Sequence, residues 1–228
     1  MLNRMVQTAL FGSVAALFGT VLYWQVDVIH RGGPVMVPII MCSMFALAIV
    51  LERFYFFFSL RMDPSQFFDQ LSALVRKRQW PDAERLCRSA KGPVARVAQA
   101  GIAAHEKAAE EIERVMAEAA HSELPLIERH HRWLSPLAQV STLLGLLGTV
   151  TGMVVAFQVI QNKATSNNPV SPADLAGGIW QALITTVAGL EVAIPTIVAY
   201  NYLASRVAEL QYQMERAAAI VANWRRTE

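Results

Sequence analysis

The chain has 228 residues, of which 54% are hydrophobic, and a net charge of only +2. Its apolar residues fall in long blocks rather than at the intervals of a soluble core, which excludes an ordinary soluble domain. The small net charge and the absence of a basic cluster interleaved with aromatics exclude a nucleic-acid partner.

Residues 5–26 (MVQTALFGSVAALFGTVLYWQV) carry no charge, follow Arg4 and end near Tyr23 and Trp24, residues suited to a membrane interface. The block admits three readings: an additional span, an interfacial helix, or a signal sequence removed from the mature chain. Arg31, Gly32, Gly33 and Pro34 then break the chain, and residues 35–51 (VMVPIIMCSMFALAIVL) form a second apolar block. It ends at Glu52 and Arg53 and an aromatic run, 54–58, and reads as a transmembrane helix. Pro38 falls in its first turn, where a missing backbone donor costs little.

Residues 59–132 change character, holding 12 of the 20 Lys and Arg residues and 11 of the 18 acidic ones. This region reads as solvated and helical. Pro81 suits the start of a short helix and Gly92-Pro93 its end, with Cys87 in a charged loop. Ile112, Val115, Met116 and Ala119 recur on one helical face that requires another helix to cover it. Cys42 lies inside a span, so a disulfide between it and Cys87 is excluded on geometry. His121, His130, His131, Glu123 and Glu128 lack the spacing of a metal site, and no phosphate loop or nucleophile motif is present. The sequence therefore assigns no metal, no cofactor and no enzymatic activity.

Residues 133–160 (WLSPLAQVSTLLGLLGTVTGMVVAFQVI) are uncharged and carry Gly145, Gly148 and Gly152, small residues that permit close helix contact in a membrane. Residues 162–171 are a polar turn, and residues 175–203 form the last apolar block, interrupted only by Glu191 and Pro195. An amphipathic stretch follows. Placing 59–132 and the C-terminal tail in the cytoplasm leaves only Arg31 and Lys163 outside, in accord with the positive-inside rule.

The order and spacing of two motifs resemble the MotA/TolQ/ExbB proton channel family, most closely its ExbB and TolQ members. The first is Ser135-Pro136 followed by Gly145-Leu146-Leu147-Gly148-Thr149-Val150-Thr151-Gly152-Met153. The second is Gly178-Ile179-Trp180-Gln181-Ala182-Leu183-Ile184-Thr185-Thr186 followed by Gly189 and Ala193-Ile194-Pro195. The resemblance implies an all-α, polytopic fold with three or four transmembrane helices and a helical cytoplasmic domain. On this layout 1–32 is an N-terminal hydrophobic segment with a periplasmic turn, 33–58 the first family-type span and 59–132 the cytoplasmic domain. A channel-forming helix pair then occupies 133–203, with a periplasmic turn at 161–174, and 204–228 is a cytoplasmic C-terminal helix.

By the same resemblance the chain is a multi-pass bacterial inner-membrane protein and a homo-oligomer, a pentamer, in contact with lipid. It surrounds a dimer of an ExbD/TolR-like single-span subunit, and proton flow energises a TonB/TolA-like or surface-motility effector. Two alternatives stay open: a non-conducting scaffold for a periplasmic partner, and a sodium-driven motor.

Spacing alone favours Thr149 and Thr186 bonding back to their own helices. The resemblance instead places them on the lumen, facing the partner's carboxylate, together with Thr185 and Gln181. Gln181 stands where the best-known members carry Glu, and an amide cannot ionise; it orients water or caps a hydrogen-bond network, leaving the partner to supply the titrating carboxylate. Glu191 is the opposite departure. At 100° per residue it lies about 140° around the helix from Thr186. It is read either as an interface residue on the stripe through Ile184 and Val187 or as a titrating proton site. Gly145, Gly148, Gly152 and Gly189 serve close packing or shape the lumen, and Pro195 kinks or flexes the last span.

Overall fold

The computed structural model describes residues 32–60, 64–165 and 169–226, and every regular element among them is helical. The first apolar block, 5–26, lies outside the described residues, as does Arg31. The helices are α1 (Met36–Ser59), α2 (Pro64–Arg76), α3 (Trp80–Ser89), α4 (Pro93–Ala103), α5 (Ala109–Ile127), α6 (Leu134–Thr165) and α7 (Pro172–Arg226), with a 3₁₀ turn at His131–Trp133 before α6. The chain divides into two compact units.

The first unit comprises residues up to 51 and 130–201, and so contains most of α1, all of α6 and the first part of α7. Val35, Met36 and Ile39 of the α1 end are buried with Ala188 and Val192 of α7, and Leu144 of α6 packs against them. Their outward faces stay apolar: Met44, Leu143, Phe157 and Leu183 are all about 60% exposed. Apolar surface of this kind suits a hydrocarbon surrounding and not water. α1, the segment His131–Thr165 and the segment Pro172–Trp224 are each long and apolar enough to cross a membrane.

The polar segment after α6 is shorter than its composition indicates. The helix continues through Asn162 to Thr165, because Lys163 near its end reaches Asp174 at 2.7 Å. Asp174 also accepts hydrogen bonds from the Ser171 amide at 2.8 Å and the Ser171 hydroxyl at 3.0 Å. It thereby satisfies a free amide at the start of α7.

The second unit comprises 52–129 and 202–228. Phe67, Phe68, Leu71 and Val75 of α2 form its core with Val94 and Val97 of α4, Ile112 and Met116 of α5, and Met214, Ala217 and Val221 of α7. Each fully buried side chain of this size contributes about 1.5–3 kcal/mol. Ile112 and Met116 are fully buried, and Val115 and Ala119 partly so, which supplies the cover their face requires. α2 closes with Arg78 in the left-handed region, φ 57°, while the amides of Arg78 and Gln79 return to the carbonyls of Val75 and Leu74.

Two sequence readings change here. Cys87 is not in a loop: it lies on α3 and is buried in the core, while its charged neighbours Arg85 and Arg88 point outward. Pro93 does not end a helix but begins α4, and α3 has already stopped at Ser89. α7 also continues as one helix through the amphipathic stretch to Arg226, since no Gly or Pro interrupts 204–226.

Two arginines of this unit are held by specific partners. The Arg96 guanidinium grips the Glu123 carboxylate with two hydrogen bonds, and the Glu123 side chain is only 11% exposed. The buried Arg53 bonds to Glu52 and to the Leu126 carbonyl and lies 4.7 Å over the Phe56 ring.

Candidate functional site

The two family-type motifs lie on α6 and α7, and their glycines form the line along which these helices touch. A side chain added at Gly152 would come within 2.7 Å of the Ala182 amide nitrogen and the Gly178 carbonyl oxygen. One added at Gly178 would meet the Gly152 carbonyl oxygen at the same distance, so the contact is reciprocal. Gly189 sits against the Ser141 carbonyl, and Gly145 against Thr185, Thr186 and Gly189. Main chain meets main chain at these points, as small residues permit in membrane helices.

The threonines occupy three different environments. Thr185 is fully buried, wedged against Gly148, and its hydroxyl donates back to the carbonyls of Ala182 at 2.9 Å and Gln181 at 3.1 Å. Thr186, half-buried, donates across to the Gly145 carbonyl of α6 at 3.1 Å. Thr149 lies one turn beyond Gly145 on α6, with its hydroxyl donating to Leu146 at 2.6 Å. In an α-helix the Gly145 carbonyl also receives the Thr149 main-chain amide, while the two hydroxyls bond to different carbonyls.

Gln181 is drawn toward α1. Its side-chain amide occupies the space where a side chain at Gly33 would stand, and Gly33 has φ 71°, a conformation that glycine adopts without strain. The position therefore requires glycine twice over. Sequence spacing could not reveal this neighbour, which is 148 residues away in the chain.

Residues 89–216, which include the whole of α6 and much of α7, match the model of the MotA/TolQ/ExbB proton channel family. The chain belongs to that family. A Synechocystis sp. protein described as biopolymer transport protein ExbB-like 3 is 30% identical over 174 residues, covering 76% of this chain and 82% of its own length. The Tol-Pal system protein TolQ of Haemophilus influenzae is 39% identical over 95 residues, 41% of this chain and 40% of its own. The biopolymer transport protein ExbB of Salmonella typhimurium is 34% identical over 93 residues, 41% of this chain and 36% of its own.

With three apolar helices, this member of the MotA/TolQ/ExbB family is a multi-pass membrane protein. Membership makes it a membrane energy-transduction subunit and places it outside the enzyme families.

Among the described residues no three His, Cys, Asp or Glu side chains come together as metal ligands. Glu123 is held by Arg96, and the buried His131 stacks on Tyr200 with ring centroids 6.0 Å apart. Glu191 lies on α7, half-buried, about 140° around the helix from Thr186. Pro195 stands one turn further along the same helix, which continues through it.

Proposed function

We propose that this chain is the proton-channel subunit of an inner-membrane motor. Five copies surround two helices of an ExbD/TolR-like single-span partner, and the complex uses the proton motive force to energise a TonB/TolA-like or surface-motility effector. The charged residues 59–132 and the C-terminus face the cytoplasm, where the distribution of Lys and Arg favours them.

The observation that carries this reading is the Thr186 hydroxyl bonded across to the Gly145 carbonyl, whose amide partner within α6 is Thr149. A hydroxyl both donates and accepts, so that of Thr186 on Gly145 and that of Thr149 on Leu146 can each hold water or face a carboxylic acid supplied by another subunit. Gln181, packed against Gly33, is a neutral amide that orients water without ionising. Thr185, sealed against Gly148, keeps the helices at the spacing that brings Thr186 to Gly145. The titrating group belongs to the partner.

Proteoliposomes containing the co-purified complex test the reading. Proton flux is expected from the complex and not from this chain alone, and the Thr149→Val, Thr186→Val double variant is expected to lose it. Equal flux without a partner, or full flux in the double variant, overturns it. The packing of the Gln181 amide against Gly33 favours a second reading, a non-conducting scaffold. An intact complex that passes neither protons nor sodium would establish that scaffold, while flux only in sodium would establish a sodium motor.

A further inference from the structure

Residues 36–51, 134–162 and 175–201 contain a single Asp, Glu, Lys, Arg or His, and it is Glu191. It stands about 24 Å along α7 from Leu175 and about 18 Å from Leu203, near the middle of the apolar block. The side chains one turn away on its face, Val187 and Ile194, are exposed and apolar, as is Val198 two turns away. The carboxyl is half-buried among these groups. Among the described residues no hydrogen bond and no charge acts on it.

The other titratable groups of these helices lie elsewhere. Cys42 is on α1 and Tyr200 is more than two turns along α7, while Lys163 and Asp174 pair with each other and His131 stacks on Tyr200.

A second feature falls on the same residue. Pro195 has no N–H, so the helical hydrogen bond that residue 195 would give to the carbonyl of residue 191 is missing. At the next position the Thr196 hydroxyl adds a side-chain donor to the Val192 carbonyl at 2.6 Å. The Glu191 carbonyl receives no such hydroxyl. A carboxyl and a helix carbonyl that has lost its Pro195 donor therefore belong to one residue within hydrocarbon, where unsatisfied polar groups are expensive.

We propose that Glu191 is a proton-binding site inside the membrane, in which the carboxyl takes up a proton. The bound proton removes the charge that hydrocarbon penalises. This site is separate from Thr149 and Thr186. It rests on the membrane assignment and not on the channel reading.

Dicyclohexylcarbodiimide, a reagent that enters hydrocarbon, tests the proposal on the full chain in native membrane vesicles. The carboxyl proton passes to one reagent nitrogen and the carboxyl oxygen bonds to its central carbon. The O-acylisourea so formed rearranges to a stable N-acylurea with no atom lost. Peptide mass mapping is expected to find the adduct on Glu191, falling at least about threefold as the pH is raised from about 5 to about 10. Glu191→Gln is expected to abolish it at this position and Glu191→Asp to retain it. A carbodiimide that modifies other carboxyls but not Glu191, or modifies Glu191 to the same extent at every pH, overturns the proposal. Flux in proteoliposomes is read separately, so loss of the channel reading leaves the labelling result standing.

Discussion

The hydroxyl of Thr186 donates to the main-chain carbonyl of Gly145 at 3.1 Å, joining α7 to α6 by a side chain at the level of Thr149. Replacing Thr186 by Val keeps the shape and removes the donor. The variant is expected to lose about 1 kcal/mol of stability, the net value of one such bond, in a detergent-solubilised unfolding measurement. Thr186→Ser, which keeps the hydroxyl, is expected to retain most of it. In the reconstituted complex the Val variant should slow proton flux by about fivefold if that free energy is added to the transport barrier.

Gly152 and Gly177 form a matched pair for testing the α6–α7 contact. A methyl group at Gly152 would press on the Ala182 amide and the Gly178 carbonyl, which cannot rotate away, whereas one at Gly177 meets nothing within 4 Å. Gly152→Ala is therefore expected to cost about 1–3 kcal/mol. Gly177→Ala is expected to be neutral or slightly stabilising, because alanine is the better helix former. Equal melting temperatures for the two variants would contradict the contact.

These glycines also mark what sequence could and could not reveal. The spans were legible because a membrane helix needs an uninterrupted apolar run, and α1, α6 and the first part of α7 have one. Small residues at Gly145, Gly148 and Gly152 announced a close helix contact. Their partners were not legible, since spacing along one helix does not say which residue of another will face it. The Gln181 amide beside Gly33 and the Thr186 bond to Gly145 both belong to this class. Cys87 was misread for a different reason: Glu84, Arg85 and Arg88 around it look like a solvated segment, and a short helix needs only a narrow apolar face to be anchored.

Burial pushes the Cys87 thiol up to about 12, with the Glu84 carboxylate adding to the effect. The folded protein therefore keeps this proton between the ordinary thiol value of 9.0 and about 12, while the unfolded chain releases it. Stability linked to Cys87 is complete below about pH 9 and falls as the pH rises through that window. At pH 8 a maleimide is expected to leave Cys87 unmodified in the native protein and to modify it after denaturation, as peptide mass mapping would show. Rapid native labelling would contradict its burial.

The ion pair of Arg96 and Glu123 is asymmetric, with the carboxylate largely buried and the guanidinium side chain 55% exposed. Arg96→Leu strands the carboxylate and is expected to cost about 1–3 kcal/mol. Replacing both residues by Leu is expected to recover most of that loss, since the unpaired charge is then gone. A double-mutant cycle on thermal unfolding measures the coupling, and purely additive losses would show that the pair contributes nothing.

The glycine contacts along α6 and α7 have a mechanical consequence. Where backbone already touches backbone, the two helices have no room to move closer, and drawing them apart would break the Thr186 bond and open a gap that hydrocarbon must fill. Sliding along the contact line would break the same bond and lift Thr185 from its seat against Gly148. The pair is therefore expected to move as one rigid strut, with any bending left to the ends of the two helices.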